Sequence, residues 1–287
     1  MTALGGYLEL TKPRLTLMAL ATAFLGFFMA ARTPAQPLFG PLLFHTLAAS
    51  ALLGGGVNAL NQYLERHADS KMKRTESRPI PSGRIASQNA LVFGAVLTIT
   101  GIAYLYLAVN FLSGCLGALT AVSYVFWYTP LKTKTPLNTL VGALPGALPI
   151  ILGWAAGQNA LPAESWTLFL ILFFWQLPHF FAIAWLHRQD YDSGGFRMLT
   201  LTDKDGRRTG QKIIITSVFL FLATLLPAAA GLTHRIYLLT IVPTGLLFIG
   251  CAVSFHRSKL TGARQFVFLT IANLSFIITA MIADRIL

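Results

Sequence analysis

Charge is scarce in this sequence, and that shortage decides its class. Only 11% of the residues are charged and 55% are hydrophobic, whereas a soluble domain averages about 25% charged residues. Long apolar runs take the place of the missing charge, which predicts a polytopic, all-α membrane protein. Both cysteines, Cys115 and Cys251, lie inside such runs, so neither a disulfide nor a thiolate metal site is expected.

The start of the chain lacks the marks of a cleaved leader. Glu9, Lys12 and Pro13 interrupt it and no small-residue cleavage site follows, so no signal peptide is expected. An Arg-rich and Ser-rich transit segment is missing as well, which favours a bacterial protein of the inner membrane.

Apolar runs near the roughly 20 residues that cross a bilayer recur along the chain. The run from Ala90 to Trp127 is too long for one crossing, and Asn110, Ser113 and Gly114 predict a tight hairpin within it. The sequence thus predicts one domain, residues 1–287, with nine membrane-spanning helices. The predicted spans are 15–31, 41–63, 90–109, 111–127, 137–156, 166–186, 213–232, 237–255 and 266–283.

Lys and Arg residues are divided unevenly between the two sides that nine spans define. With the N-terminus in the cytoplasm, all but three of the 22 lie on the cytoplasmic side. This is the positive-inside pattern, which predicts a cytoplasmic N-terminus and an external C-terminus. The net charge of +12 is therefore explained by topology, and no nucleic-acid partner is expected.

Acidic residues favour the same side, although the positive-inside rule hardly concerns them. All but two of the ten lie there, mostly in the long connections after the second and the sixth span. This clustering needs another cause, and it predicts an active site or ligand mouth on the cytoplasmic face.

The second span ends in a polar stripe. Asn58, Asn61, Glu65 and Asp69 fall within one narrow arc of a helix at about 100° per residue. A solvated helix end does not explain the two asparagines, because they lie inside the apolar run. Such oxygen-bearing side chains suit Mg2+, which proteins hold with one or two carboxylates plus substrate phosphates. The basic residues that follow at once are Lys71, Lys73, Arg74, Arg78 and Arg84. Acidic side chains that could bind a metal ion, next to basic side chains that could bind an anion, indicate a diphosphate site.

A second acidic pair, Asp190 and Asp192, follows the exit of the sixth span. The two residues are too close in sequence to share a helix face, but Gly194 and Gly195 would permit a metal-binding turn. The alternative is an exposed loop whose acids balance nearby arginines.

Inside the sixth span, His179 lies among Trp175, Phe180 and Phe181. Two interpretations compete. The histidine contacts a planar substrate, which the flat apolar side chains would suit, or it is a hydrogen-bonded residue of helix packing.

The segment 124–138 allows two interpretations as well. An aromatic belt at the membrane interface explains Trp127 and Tyr128. Alternatively, Lys132, Lys134 and Asn138 line the mouth of the anion site.

Four extended motifs can be compared with known families. They are N-x3-E-x3-D-x-x-M-K-R-T-x-x-R-P-x-P-S-G-R from Asn61 to Arg84, Y-T-P-L-K from Tyr128 to Lys132, N-x3-G-A-x-P-G-A-x-P from Asn138 to Pro149, and W-Q-x-P-H-F from Trp175 to Phe180 with the pair Asp190-Tyr191. Together they resemble the protoheme IX farnesyltransferases (haem O synthases), which are intramembrane prenyltransferases of the UbiA type. The opening Leu10-Thr11-Lys12-Pro13-Arg14 fits as well.

The resemblance implies nine helices around a central cavity, capped by two polar cytoplasmic loops, with Mg2+ as cofactor. It implies transfer of a farnesyl group from farnesyl diphosphate to a vinyl group of haem b, giving haem O and diphosphate. No side-chain nucleophile is required, which agrees with the absence of a Ser/His/Asp or Cys/His constellation. Proteins of haem or terminal oxidase assembly are candidate partners.

Carried onto this chain, the resemblance makes Asn61, Glu65 and Asp69 the catalytic metal–diphosphate motif. Diphosphate oxygens would be bound by Lys73, Arg74 and Arg78. The positions identified from the residues themselves complete the predicted site. They are Asp190 and Asp192 for metal, Lys132 for diphosphate, and His179 with Trp175 for haem.

The chain departs from the family pattern at three positions. Glu65 stands where the family usually has Asp, which keeps the charge with a longer reach. His67 stands where Asp is frequent, but it lies about 200° around the helix from Glu65 and leaves the metal face intact. Gly194 stands four residues after Asp190, so the second D-x3-D motif of the wider superfamily is incomplete.

Other functions fit parts of the pattern. The same fold could act on a quinone precursor or a chlorin. An ion-coupled transporter should show paired broken segments in two halves and charge on both faces, and neither is evident. A non-catalytic scaffold would need no buried stripe of Asn, Glu and Asp.

Overall fold

A computed structural model describes residues 3–31 and 40–286. Within these ranges every regular element is a helix, and no strand is present. The α-helices are α1 (Ala3–Leu10), α2 (Pro13–Ala30), α3 (Pro41–Asp69), α4 (Ser87–Ala108), α5 (Phe111–Val122), α6 (Thr129–Leu131), α7 (Asn138–Gln158), α8 (Ala163–Leu186), α9 (Arg188–Ser193), α10 (Leu199–Thr202), α11 (Arg207–Ala229), α12 (Arg235–Arg257) and α13 (Ala263–Ile286). A π-helix, Ser123–Tyr128, joins α5 to α6.

Nine helices in the described ranges are long and apolar enough to cross a membrane. The predicted all-α fold with nine spans is therefore confirmed. The hairpin predicted between the third and fourth spans lies where α4 gives way to α5. There the Asn110 side chain accepts a hydrogen bond from the Ser113 N–H at 2.8 Å and caps α5. Ser113 and Gly114 thus belong to α5 and not to the turn. The orientation of the termini stays a prediction.

The helices group into two compact units. One comprises the described residues of Met1–Leu161 together with Asp190–Phe196, and the other those of Pro162–Gln189 and Arg197–Leu287. We call them the first and the second unit. The segment that carries the second acidic pair therefore belongs with the first unit, although it follows a helix of the second.

In the first unit, α2 and α7 meet with their backbones in contact. A Cβ atom at Gly26 would overlap the carbonyl oxygen of Ile150, and one at Gly153 would overlap that of Ala23. Small residues allow such close approach in membrane helices, where packing and not hydrophobic exclusion holds neighbours together. A glycine allows the same close backbone contact between α3 and α4, because a Cβ atom at Gly56 would lie 2.5 Å from the Thr98 nitrogen.

The second unit is built around α8 and α11, with α12 and α13 packed against them. Its buried Asp284, near the end of α13, accepts hydrogen bonds from the backbone N–H groups of His234 and Tyr237. These groups begin α12, where N–H donors otherwise lack partners. One of the two acids outside the predicted cytoplasmic cluster therefore has a structural role.

The connection before α11 shows a structural role for another acid. Asp203 accepts hydrogen bonds from the Thr209 N–H at 2.7 Å and the Arg208 N–H at 3.3 Å. Burial acts to raise the pKa of Asp203, but the bonds from Thr209 and Arg208 outweigh it and hold that pKa below its ordinary value. The expectation that both acidic connections mark the ligand mouth therefore does not extend to Asp203, which caps a helix.

We expect Gly153→Ala to lower the free energy of unfolding by about 1–3 kcal/mol, because the new methyl group must force α7 away from α2. Thermal unfolding in detergent measures this. Gly250→Ala is the matched control, since nothing lies within 4 Å of a Cβ at that position of α12. Equal melting temperatures for the two variants would contradict the close α2–α7 contact.

We expect Asp203→Ala to cost about 0.5–2 kcal/mol through loss of the α11 cap. A carboxylate whose folded-state pKa is depressed stabilises the protein above its unfolded pKa, and this contribution disappears as pH falls through the folded pKa. The difference in melting temperature between wild type and variant should therefore shrink below about pH 4. A difference that does not change between pH 7 and pH 3 would exclude the charged cap.

Candidate active site

The polar stripe of the second span lies on α3 and is buried. The exposed fraction is 7% for Asn58, 1% for Asn61, 8% for Glu65 and 0% for Asp69. Gln62, which the sequence analysis did not single out, belongs to the same buried group at 1%. Buried polar groups and charges are costly unless they are paired, so the partners of this stripe define the site.

Each carboxylate of the stripe has one cation. Lys132 Nζ lies 2.7 Å from Glu65 Oε1, and Arg78 Nη1 lies 2.7 Å from Asp69 Oδ2. The second oxygen of Asp69, Oδ1, is buried and accepts no hydrogen bond from any residue in the described ranges. One ligand position of the first predicted metal motif is therefore without a protein partner.

Asn61 connects the stripe to two other segments. Its Oδ1 accepts a hydrogen bond from Lys12 Nζ at 2.7 Å, and its Nδ2 donates to Thr129 Oγ1 at 3.1 Å. Thr129 Oγ1 donates in turn to the carbonyl oxygen of Tyr124 at 2.8 Å. The amide therefore has defined partners on both sides, which orients its oxygen toward the cation.

The π-helix Ser123–Tyr128 provides much of this wall. π-Helical turns are rare and occur often at functional sites. Here the turn aims Tyr124 at α3, with its hydroxyl donating to Asn58 Oδ1 at 3.5 Å. Tyr128 also turns inward, with its ring centre 4.6 Å from Lys132 Nζ. The aromatic-belt interpretation therefore fits Trp127, which is 46% exposed, and fails for Tyr128.

Lys12 reaches the site from a tight turn between α1 and α2. Its backbone is in the left-handed region, at φ 47°. Side chains of α3 hold both sides of this turn. Gln62 Nε2 donates to the Leu10 carbonyl oxygen at 3.0 Å, and Asn58 Nδ2 donates to Thr16 Oγ1 at 3.2 Å. The polar stripe therefore also fixes the position of its own third cation.

The site contains three basic side chains, Lys12, Arg78 and Lys132, and two carboxylates. Burial acts to lower the pKa of Lys132, but the Glu65 carboxylate outweighs it and raises that pKa above its ordinary value. Burial and the nearby Arg78 guanidinium lower the pKa of Lys12 from 10.5 to about 7. Cations held close together in this way are stabilised by an incoming anion, which is what a diphosphate site requires.

The predicted diphosphate residues separate into two groups. Arg78 and Lys132 lie at the carboxylates, whereas Lys73 and Arg74 are exposed. The Arg74 guanidinium lies 5.9 Å from the ring centre of Tyr191. Lys12 was missed as a site residue because it was counted as a topological charge. Only the family-like opening L-T-K-P-R pointed to it.

The second acidic pair lies on a short helix, α9, and not on a turn as expected. Asp190 is half-buried and Asp192 is exposed, as helix geometry requires for residues about 200° apart. The segment that follows reaches the first unit, since Gly194 packs against Met72 and the Phe196 ring lies 5.7 Å from Lys132 Nζ. A metal role for Asp190 and Asp192 stays a prediction.

No group of three or more His, Cys, Asp or Glu side chains in the described ranges is close enough to hold a metal ion by itself. A divalent cation at α3 would therefore need the Asn61 oxygen and oxygens of a substrate in addition to the two carboxylates. That combination is typical of Mg2+ sites that act on phosphates.

In the second unit, His179 makes specific contacts. Its Nδ1 lies 2.7 Å from Thr270 Oγ1 on α13. The Trp175 ring stacks on the imidazole at 4.9 Å, and its Nε1 donates to the Thr270 carbonyl oxygen at 2.6 Å. The histidine is hydrogen-bonded, as the packing interpretation requires, but only through one ring nitrogen. The haem role of His179 and Trp175 stays a prediction.

We expect Arg78→Ala to weaken binding of a non-reactive prenyl diphosphate analogue by about 10-fold or more, since a charge-assisted contact is worth about 1.5–3 kcal/mol. Arg74→Ala is the matched control, because this arginine is exposed and should change the affinity less than about threefold. Equilibrium titration of the detergent-purified variants measures both. Equal losses in the two variants would show that the loop binds diphosphate by overall charge and not through the residue paired with Asp69.

Comparison with known proteins identifies the family of this chain. The UbiA prenyltransferase family matches residues 19–277. A protoheme IX farnesyltransferase from Solibacter usitatus is 42% identical over 97% of this chain and 98% of its own length. The enzyme of that name from Opitutus terrae is 41% identical, over 98% of this chain and 94% of its own length. The resemblance drawn from the motifs is thereby confirmed.

Solved structures show the same fold. A digeranylgeranylglyceryl phosphate synthase superposes with a TM-score of 0.82 at 18% identity, covering 99% of both chains. A UbiA homolog from Archaeoglobus fulgidus, bound to DMAPP and Mg2+, superposes with a TM-score of 0.69 at 15% identity and covers 97% of this chain and 98% of its own. With nine spans and this family match, the protein is a multi-pass membrane protein. It is a prenyltransferase and belongs to the UbiA prenyltransferase family.

Proposed function

We propose that this enzyme transfers a farnesyl group from farnesyl diphosphate to a vinyl group of haem b. The observation that carries the proposal is the buried Asn61, Glu65 and Asp69 face of α3 with Lys12, Arg78 and Lys132 arranged along it. This site supports the diphosphate half of the reaction. The name shared by relatives at 41–42% identity over nearly the full chain supports farnesyl as the donor and haem as the acceptor.

The α3 face fits Mg2+. Its donors are one amide oxygen and two carboxylates, which are the hard oxygen ligands that this ion prefers. The unpartnered, buried Asp69 Oδ1 is the kind of atom that a cation would satisfy. We therefore assign Asn61, Glu65 and Asp69 as the residues that would hold the ion, with Asp190 and Asp192 as candidates for a second. When bound, Mg2+ supplies charge neutralisation of the diphosphate.

The chain's own cations act on the leaving group. As the bond between the allylic carbon and oxygen breaks, negative charge develops on the diphosphate, and Lys12, Arg78 and Lys132 stabilise it. Their present partners, Asn61 and the two carboxylates, hold them in place before the substrate binds. No reorganisation of these groups is then needed during ionisation, which is where such stabilisation is most effective.

The allylic cation reacts with the vinyl group of haem b. The new carbon–carbon bond uses the vinyl π electrons, and the positive charge moves to the vinyl carbon next to the macrocycle. Water adds there and releases one proton, which balances the reaction as farnesyl diphosphate plus haem b plus water giving haem O plus diphosphate. The ring faces of Tyr124 and Tyr128 beside the site are suited to stabilise the transient cation.

The closest alternative is the same chemistry on a quinone precursor or a chlorin, because the diphosphate site does not depend on the acceptor. An ion-coupled transporter is not supported, since the chain belongs to a family of enzymes. We also propose a bacterial inner-membrane location with the site facing the cytoplasm, on the basis of the one-sided Lys and Arg distribution.

Purified protein incubated with Mg2+, farnesyl diphosphate and haem b should yield a haem heavier by one farnesyl group and one hydroxyl, as detected by mass spectrometry. Asp69→Ala should lower the rate by about 100-fold or more, through loss of stabilisation of the leaving group. Glu76→Ala is the control, because Glu76 is an exposed acid of the same connection, and it should keep the wild-type rate.

Prenylation of a quinone precursor or a chlorin, with no product from haem b, would replace haem as the acceptor. A wild-type rate in folded Asp69→Ala protein would instead remove the α3 carboxylates from the mechanism.

A further inference from the structure

The hydrogen bonds around Thr270 fix the tautomer of His179. Thr270 Oγ1 lies 2.6 Å from the Val267 carbonyl oxygen and donates its hydrogen there. A hydroxyl has one hydrogen, so toward His179 Nδ1, at 2.7 Å, the same oxygen must accept. The hydrogen of that contact therefore belongs to Nδ1, and a neutral imidazole then carries its lone pair on Nε2.

Trp175 fixes the orientation of the same ring. Its indole is stacked on the imidazole with an angle of 18° between the planes, and its N–H donates to the backbone of Thr270. Thr270 itself is 0% exposed. The imidazole is thus held by the Thr270 hydrogen bond at Nδ1 and by the Trp175 ring stacked on its face.

The free nitrogen has no protein partner. His179 is half-buried in an apolar helix, and its Nε2 makes no hydrogen bond with any residue of the described ranges. A neutral ring nitrogen with a lone pair and no protein partner is available to a ligand. Helix packing explains the hydrogen bond at Nδ1. It does not explain why the ring is fixed with Nε2 unpaired, and this arrangement indicates a ligand.

We infer that His179 Nε2 coordinates the iron of haem b as an axial ligand, with Thr270 and Trp175 as positioning residues. The inference rests on the proposed function, which supplies the haem. Proteins commonly present a histidine to a metal with its other ring N–H bonded to a fixed oxygen, and histidine is a usual axial ligand of haem iron. The bond positions the macrocycle relative to α8, and the iron changes neither its charge nor its oxidation state.

A comparison of two porphyrins separates coordination from packing. The probes are haem b and metal-free protoporphyrin IX, titrated into the full chain without farnesyl diphosphate. His179→Ala should lower the affinity for haem b by about 10-fold or more and shift the Soret band of the bound haem. The affinity for protoporphyrin IX should stay within about twofold of the wild-type value. Added imidazole should restore the wild-type Soret band in this variant.

Thr270 provides a second pair of variants, should His179→Ala not fold. Thr270→Val removes the accepting oxygen, so the lone pair is no longer confined to Nε2. We expect a loss of haem b affinity of about 10-fold with an altered Soret band, and recovery in Thr270→Ser, which keeps the hydroxyl. His45→Ala is the control for both, because His45 also lies in a span and bonds through Nδ1, to the Tyr104 hydroxyl at 2.8 Å, but should leave haem binding unchanged.

Equal losses for the two porphyrins, or an unaltered Soret band in folded His179→Ala and Thr270→Val proteins, would overturn the coordination. In that case farnesylation of haem b by wild type would still stand, and only this inference would fail. A wild-type chain that neither binds nor modifies haem b would overturn the proposed function and the coordination together.

Discussion

The arrangement of segments around α3 in the first unit depends on the free-energy cost of burying two carboxylates at the end of a membrane helix. Glu65 and Asp69 are at most 8% exposed, and an unpaired charge in such a place is strongly destabilising. Their cations come from separate parts of the chain, Lys132 from beyond the π-helix and Arg78 from the connection after α3. Pairing these charges therefore fixes the two segments against α3, and the Asn61–Lys12 bond adds the turn between α1 and α2.

The same pairs suit a site that must accept a charged substrate. Under the proposed function, a metal ion and a diphosphate would offer a new partner to each of these groups. Glu65 and Asp69 would hold the metal ion, and Lys12, Arg78 and Lys132 would bind the diphosphate, so each buried charge would keep a partner of opposite sign. Lys12 bonds to the Asn61 amide and not to a carboxylate, and an incoming anion would stabilise its charged form. Substitution of any single member of the set is therefore expected to affect both folding and binding.

Some of this arrangement follows from the sequence and some does not. The nine spans and the common face of Asn61, Glu65 and Asp69 depend on run length and on helix periodicity, which are local and could be predicted. The contacts of Asn61 join residues 49 and 68 positions away, and no local pattern indicates such pairs. Composition also does not show which basic residue of a connection points into the site. The sequence therefore does not distinguish Arg78, which pairs with Asp69, from Lys73, which is exposed. Asp203 lies in the second acidic connection, where the sequence predicts a ligand mouth. Sequence alone does not distinguish its role as a helix cap from that of a metal ligand, because both roles use a carboxylate.

In the proposed function, the α3 carboxylates bind a diphosphate through a divalent cation. The most direct test is the affinity of wild-type protein for a non-reactive farnesyl diphosphate analogue, titrated once with Mg2+ and once with EDTA. We expect chelation to weaken binding by about 10-fold or more, and we expect this dependence on Mg2+ to disappear in the double variant Glu65→Gln, Asp69→Asn. Equal affinity with Mg2+ and with EDTA would exclude a bridging cation and would show that Lys12, Arg78 and Lys132 hold the diphosphate alone.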